Sequence, residues 1–278
     1  IIQEKTYDKN TLKCIDEKNT NREIKYNFFV AGHPYGSPNG EKNYVKAEGL
    51  YPFFLKNLKK NNFDFGIFAG DIVKNSTNES WDIIDKQISK LNYNIYFAPG
   101  NHDVGLGPNN SSRKTYTSRY NDTYYHFFFD NDLFIILDSN LNNWHIKGEQ
   151  LEFFKSVVDK FSSKFDNLFI IVHHLIWIEN EVFFPNMSIV SSIVSNLAFG
   201  QNQTNFWDDM APTLLKLNKN IFFISGDYGQ YSHMKTIFCK KYNNIKFIAT
   251  GMGGGIKDNY LSFEKLKNKD INIRINFF

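Results

Sequence analysis

Ile95-Tyr96-Phe97-Ala98-Pro99-Gly100-Asn101-His102-Asp103 is the stretch on which the fold turns. Its first four residues form an apolar run too short for a helix and suited to a buried β-strand, and Pro99-Gly100 stops it. An amide, an imidazole and a carboxylate follow at once. The pattern recurs along the chain. A predicted strand at 26–31 runs into Gly32-His33, one at 65–69 into Gly70-Asp71, one at 168–172 into His173-His174, and one at 221–225 into Gly226-Asp227. Further Ile/Phe/Val-rich runs at 133–137 and 245–249, with others at 124–129, 234–239 and 271–277, bring the predicted strands to ten.

Between several strands lie helical stripes. Trp81, Ile84, Ile88 and Leu91 follow 3, 4, 3 spacing, and Leu151, Phe154, Val158 and Phe161 repeat at helical intervals. Strand, helix, strand alternation over the first 175 residues argues an α/β layered fold with crossovers, and the strand-rich C-terminal third implies a second sheet packed on the first. Residues 1–23, polar and without pattern, read as a loose arm on a single domain spanning 24–278. Two further segments, 105–122 and 179–206, are rich in Asn, Ser, Gly and Pro and read as long loops near the strand ends.

Lys+Arg 32 against Asp+Glu 29 leaves a net charge of +3, so no polybasic nucleic-acid arm or acidic tail dominates. No apolar run approaches the roughly 18 residues that span a bilayer. The start, Ile1-Ile2-Gln3-Glu4-Lys5, shows no signal-peptide pattern. Cys14 and Cys239 cannot build a disulfide framework or a four-cysteine metal site. A reduced, cytoplasmic protein is the reading, unless a signal peptide has been removed.

In open α/β sheets the carboxyl ends of strands form the binding edge. Five strand ends would bring His33, Asp71, Asn101, His102, His173, His174 and Asp227 to one place, a donor set of N and O ligands suited to a divalent metal. His126 and His145 match no such position and read as hydrogen-bonded structural residues.

The order Gly70-Asp71, Gly100-Asn101-His102-Asp103, His173-His174 and Ser225-Gly226-Asp227 resembles the calcineurin-like metallophosphoesterase superfamily over residues 26–255. That family's motifs are Asp-x-His, Gly-Asp-x-x-Asp, Gly-Asn-His-Asp/Glu, His and Gly-His-x-His. The resemblance implies a layered sandwich of two mixed β-sheets flanked by helices. It implies divalent ions (Mn, Fe or Zn) held by Asp71 as the bridge, with Asn101, His173, Asp227 and His33. It implies hydrolysis of a phosphate ester, monoester or diester, by in-line attack of a metal-bound hydroxide, with Asn101 holding phosphate and His102 protonating the leaving oxygen. His174 and Lys74 would contact the substrate, and Asp103 would orient or cap locally.

The departures matter as much. Ala31-Gly32-His33 stands where Asp-x-His is expected, Lys74 where the second motif ends in Asp, and Asp227 and Gly229 where the last motif has two histidines. His33 and Asp227 read as an exchanged pair. One ion position would keep Asp71, Asn101, His173 and Asp227, the other Asp71 and His33 only, unless Tyr35 or His233 adds a ligand. One tightly bound ion is therefore expected, with two the alternative. The rival class is a catalytically degenerate scaffold or binding module.

Overall fold

The computed structural model describes residues 23–36, 49–178, 204–229, 236–255 and 257–277. The predicted arm up to residue 22, residues 179–203 of the second predicted loop, and His233 lie outside the described residues. In chain order the elements are β1 (Ile24–Ala31), α1 (Pro52–Lys60), β2 (Phe65–Ala69), α2 (Asn78–Ile88), β3 (Asn94–Ala98), α3 (Asn101–Val104), α4 (Ser111–Tyr120), β4 (Tyr125–Phe129), β5 (Asp132–Ile136), α5 (Gly148–Phe161) and β6 (Asn167–Val172). A π-helical turn (Phe206–Met210) follows, then α6 (Ala211–Leu215), β7 (Asn220–Ser225), β8 (Ile237–Tyr242), β9 (Ile245–Thr250), β10 (Asn259–Leu266) and β11 (Ile271–Phe277).

The strands form two mixed sheets, one of five in the order β11-β10-β1-β2-β3 and one of six in the order β4-β5-β6-β7-β9-β8. Within them β1-β2-β3 and β5-β6-β7-β9 run parallel. The residues of β2 and β6 are buried throughout, as parallel strands covered on both faces require. Between the sheets lies a layer of phenylalanines. Phe28 stacks on Phe65 and Phe263 of its own sheet (both 4.8 Å between centroids) and meets Phe134 and Phe169 of the other sheet edge-on, at 5.2 and 5.1 Å. Helix α2 covers the outer face of the first sheet through Trp81 and Ile84, and α5 that of the second through Phe154, Val157 and Val158. Leu91, counted in the α2 stripe, falls beyond the helix end at Ile88.

Three expectations are corrected. Strand β10 is absent from the predicted strands, because Asn259, Ser262, Glu264 and Lys265 interrupt its apolar residues, yet it lies between β11 and β1 and is nearly all buried. Its polar side chains are satisfied instead of exposed. Lys265 reaches Asp132 at 2.8 Å, and the same carboxylate accepts Tyr26 Oη (2.6 Å) and Asn167 N (2.9 Å). Segment 105–122 is not a loop throughout, since α4 occupies most of it. Asn110 caps α4 by accepting from Ser112 N at 3.0 Å, and only Arg113 and Tyr116 are buried, which leaves little apolar periodicity to read. Cys239, buried in β8, is disulfide-bonded, contrary to the reduced reading.

At the edge of the first sheet, Tyr125 Oη accepts from Phe97 N (3.1 Å) and donates to Phe97 O (3.0 Å), so a side chain of the second sheet satisfies backbone of β3.

Candidate metal centre

The carboxyl ends of the parallel strands of both sheets meet. Within each sheet neighbouring ends are tied, His33 N to Gly70 O at 3.1 Å and Gly226 N to His173 O at 3.0 Å, and between the sheets His173 Nδ1 lies 3.0 Å from Ala69 O. The approach between sheets is backbone to backbone: a Cβ on Gly226 would lie 1.8 Å from Ala69 O, so only glycine fits after β7. A Cβ on Gly70 (φ +90°) would lie 2.3 Å from His173 Nδ1. Asp71 and His33 themselves hold left-handed backbone, with φ of 53° and 47°. Such conformations in residues with a Cβ cost on the order of 1–3 kcal/mol each and gather at functional sites.

The strained turns aim side chains at one another. His33 Nε2 lies 3.3 Å from Asp227 Oδ1 and 3.6 Å from Asp71 Oδ2. His173 Nε2 lies 3.4 Å from Asp71 Oδ1, and the His33 and His173 rings are 5.5 Å apart, edge to face. His33 and Asp227, read as an exchanged pair, thus face each other. One ligand atom each from His33, Asp71 and His173 lie within 4.8 Å of one another, and the same holds for His173, His174 and Asp227. In the expected grouping His33 shared only Asp71, and His174 touched substrate.

Asn101 and His102 open α3. The backbone N–H of His102 donates to Asp71 Oδ1 at 3.0 Å, and its Nε2 is 3.9 Å from Asp71 Oδ2. His102 Nδ1 is 2.6 Å from Lys74 O. Because a carbonyl only accepts, Nδ1 carries the proton there. The exposed Lys74, expected to contact substrate, therefore meets the site through its carbonyl. Asp103 accepts from Gly100 N, Ile72 N and Val73 N at 2.8 to 3.0 Å, which ties the Asp71 turn to α3. Tyr35 is buried, its ring 6.3 Å from His33 and 6.0 Å from His102.

Sequence reasoning missed Ser139 and Trp144. Ser139 Oγ lies 2.7 Å from His174 Nδ1, and Trp144 packs edge-on against the His174 ring at 5.2 Å. The polar run Asp138-Ser139-Asn140 after the predicted strand at 133–137 had the same form as the other strand ends and could have flagged Ser139. Trp144 carried no such signal. His145 bonds Asn143 O through Nδ1, and His126 packs on Phe153 and Phe161.

The electrostatics are those of a cation site. Burial alone would raise the Asp71 carboxyl, but His173, then His102 and His33, hold it well below the usual carboxylate range. Burial pushes His173 down and the Asp71 carboxylate outweighs it, raising the imidazole to about 10. His174 is lowered to about 3 by burial and by His173, and so is neutral. Burial opposes the charge of Asp227 too, yet His33 and His173 keep it ionised. Both ring nitrogens of His33 and Nε2 of His173 are buried without a hydrogen-bond partner among the described residues. Unpaired buried nitrogens cost free energy unless something else meets their lone pairs. Facing two carboxylates, they fit a divalent ion.

Two layered mixed sheets with histidines and aspartates gathered at their shared carboxyl edge define a class of α/β protein whose strand ends could hold a metal ion. The calcineurin-like phosphoesterase family model matches residues 42–251, and the chain belongs to that family. Among curated protein sequences none matches the chain. Solved structures with similar folds include a purple acid phosphatase from yellow lupin (Lupinus luteus) seeds, at 12% identity and a TM-score of 0.65, covering 91% of this chain and 51% of that one. Another is GAP50, the anchor in the inner membrane complex of Plasmodium, at 15% identity and a TM-score of 0.52, covering 92% and 84%. The chain thus spans about half the length of the lupin enzyme.

Proposed function

We propose that this chain is a metal-dependent hydrolase of phosphate esters. The observation that carries the reading is the set of buried, unpaired imidazole nitrogens of His33 and His173 around the Asp71 carboxylate, in a calcineurin-like phosphoesterase. His33, Asp71 and His173 would hold the ion, with Asp227 beside them and Asn101 at the head of α3. A divalent ion held there supplies Lewis-acid polarisation of the phosphoryl oxygen and an acidified water at neutral pH.

The chain's own residues do the rest. Asp71 takes the backbone N–H of His102 and so fixes α3 against the cluster. His102, its side chain 29% exposed, is tied through Nδ1–H to Lys74 O, which leaves Nε2 to carry the transferable proton toward a leaving oxygen. Burial of the cluster keeps water from screening its charges.

Phosphate release from p-nitrophenyl phosphate and bis-p-nitrophenyl phosphate, after chelation and after reloading with Mn²⁺, Fe²⁺ or Zn²⁺, tests the reading. Turnover that disappears with the metal and returns on reloading is expected; the Asp71→Ala variant should lose both metal and turnover. Full metal content with no turnover on either ester would favour the scaffold reading instead. That second reading rests on Ala31, Lys74 and Gly229, which carry no carboxylate or imidazole at three positions of the family pattern, and on the fold shared with GAP50.

A further inference from the structure

We propose that His174 is a metal ligand. With Asp227 it forms a second ion position that competes with the first for one nitrogen, Nε2 of His173. The inference rests on the metal centre proposed above and concerns how its ligands are divided.

His173 Nδ1 lies 3.0 Å from Ala69 O, and a carbonyl can only accept, so that nitrogen carries a proton. Nε2 is then the one nitrogen whose lone pair it can offer, once a bound ion displaces the proton that Asp71 favours there, and it is buried with no hydrogen-bond partner among the described residues. His173 belongs to both groups of residues whose ligand atoms lie close together, His33–Asp71–His173 and His173–His174–Asp227, and Nε2 is the nitrogen it has to offer to either. A single imidazole lone pair cannot serve two cations. The first group takes it with three donors already in place. The second keeps Asp227 and His174, a pair short of one ligand.

The surroundings of His174 are built for ligation. Its ring is buried and held on two sides, by Trp144 edge-on at 5.2 Å and by Ser139 Oγ at 2.7 Å from Nδ1. Ser139 Oγ also accepts the backbone N–H of His174 at 3.3 Å, so the hydroxyl can act as acceptor for both N–H groups. With Nδ1–H turned to Ser139, Nε2 keeps its lone pair. This is the outer hydrogen bond that usually orients a ligating histidine. Asp227, on the neighbouring strand end, completes the pair and also faces His33 at 3.3 Å, between the two positions.

The test is calorimetric titration of the metal-stripped full chain with Mn²⁺, alongside the electron paramagnetic resonance of the bound ion. The wild type should bind in two steps, the second about 10-fold or more weaker than the first. His174→Ala should remove the second step and leave the first within about twofold. His33→Ala should weaken the first step while one ion stays bound, and His33→Ala combined with His174→Ala should bind none. Ser139→Ala, which leaves every ligand in place, should weaken only the second step, by about 10-fold. The proposal is overturned if His174→Ala titrates like the wild type, or if it loses the tight step while Ser139→Ala changes nothing. A wild type that binds no Mn²⁺ sinks both the metal centre and this assignment. Two-step binding without phosphate release sinks only the hydrolase reading.

Discussion

The proton on His102 is placed by its neighbour. With Nδ1–H donated to Lys74 O, the ring acts through Nε2, which stands 3.9 Å from Asp71 Oδ2 and partly open to solvent. A general acid matters most when the leaving oxygen is a poor one. His102→Asn is therefore expected to slow hydrolysis of alkyl phosphates by about 10²–10⁴-fold and of nitrophenyl phosphates far less, with metal content unchanged. Steady-state kinetics on both ester types, paired with elemental analysis, checks it. Equal losses on both would assign His102 to charge stabilisation, and loss of metal would make it a ligand or the orienter of one. At this scale the sequence exposed which residues gather, because Gly-Asp, weak alone, recurs in order with Gly-Asn-His-Asp and His-His at successive strand ends. It could not show their division among ions, because that depends on which ring nitrogen Ala69 O or Ser139 Oγ occupies.

Strand β10 shows what a buried charge does inside an element. Lys265 and Asp132 are almost wholly buried and bonded at 2.8 Å, with Tyr26 and Asn167 on the same carboxylate. Removing the lysine alone leaves an uncompensated carboxylate between the sheets. Lys265→Met should cost about 3–5 kcal/mol, and adding Asp132→Asn should recover part of it; urea denaturation measures both. The loop before β10 turns on Asp258, whose carboxylate accepts from Gly253 N, Gly254 N and Gly255 N at 2.9 to 3.2 Å. Burial raises it to about 6 despite those bonds. A carboxyl whose folded value lies above the unfolded one, about 3.9, holds its proton longer when folded. Its contribution is thus fully present below about pH 4 and is lost as pH rises toward 6. Asp258→Asn should flatten that part of the stability profile, seen in denaturation midpoints at pH 4 and pH 6.5. The same residues explain what was legible among the elements. Apolar runs such as 65–69 and 168–172 announced their strands, whereas β10 and α4 are stabilised by partnered polar groups and capping, which leave no hydrophobic period.

Across the whole molecule, the candidate ligands are drawn from both sheets: His33 and Asp71 follow β1 and β2, His173 and Asp227 follow β6 and β7. An ion held by these side chains would join the sheets at one edge, while the phenylalanine layer around Phe28 joins them through the middle. Ligand that binds only the folded state stabilises it by mass action, about 2.7 kcal/mol at 100 times its Kd. Chelation should therefore lower the thermal midpoint, reloading should restore it, and Asp71→Ala should be insensitive to either, as followed by circular dichroism. Two parallel strand arrays closing on one edge were readable from the strand ends. That they touch so closely, through Gly226 against Ala69 O, was not, because contact between backbones leaves no mark in the side-chain pattern.

Strand β3 ends the five-stranded sheet, and an open strand there would be a template on which another chain could add itself. The hydroxyl of Tyr125 occupies both hydrogen-bonding groups of Phe97, within that edge strand. One phenol from the opposite sheet thereby withholds both groups from an added strand, which a phenylalanine of nearly the same shape could not do.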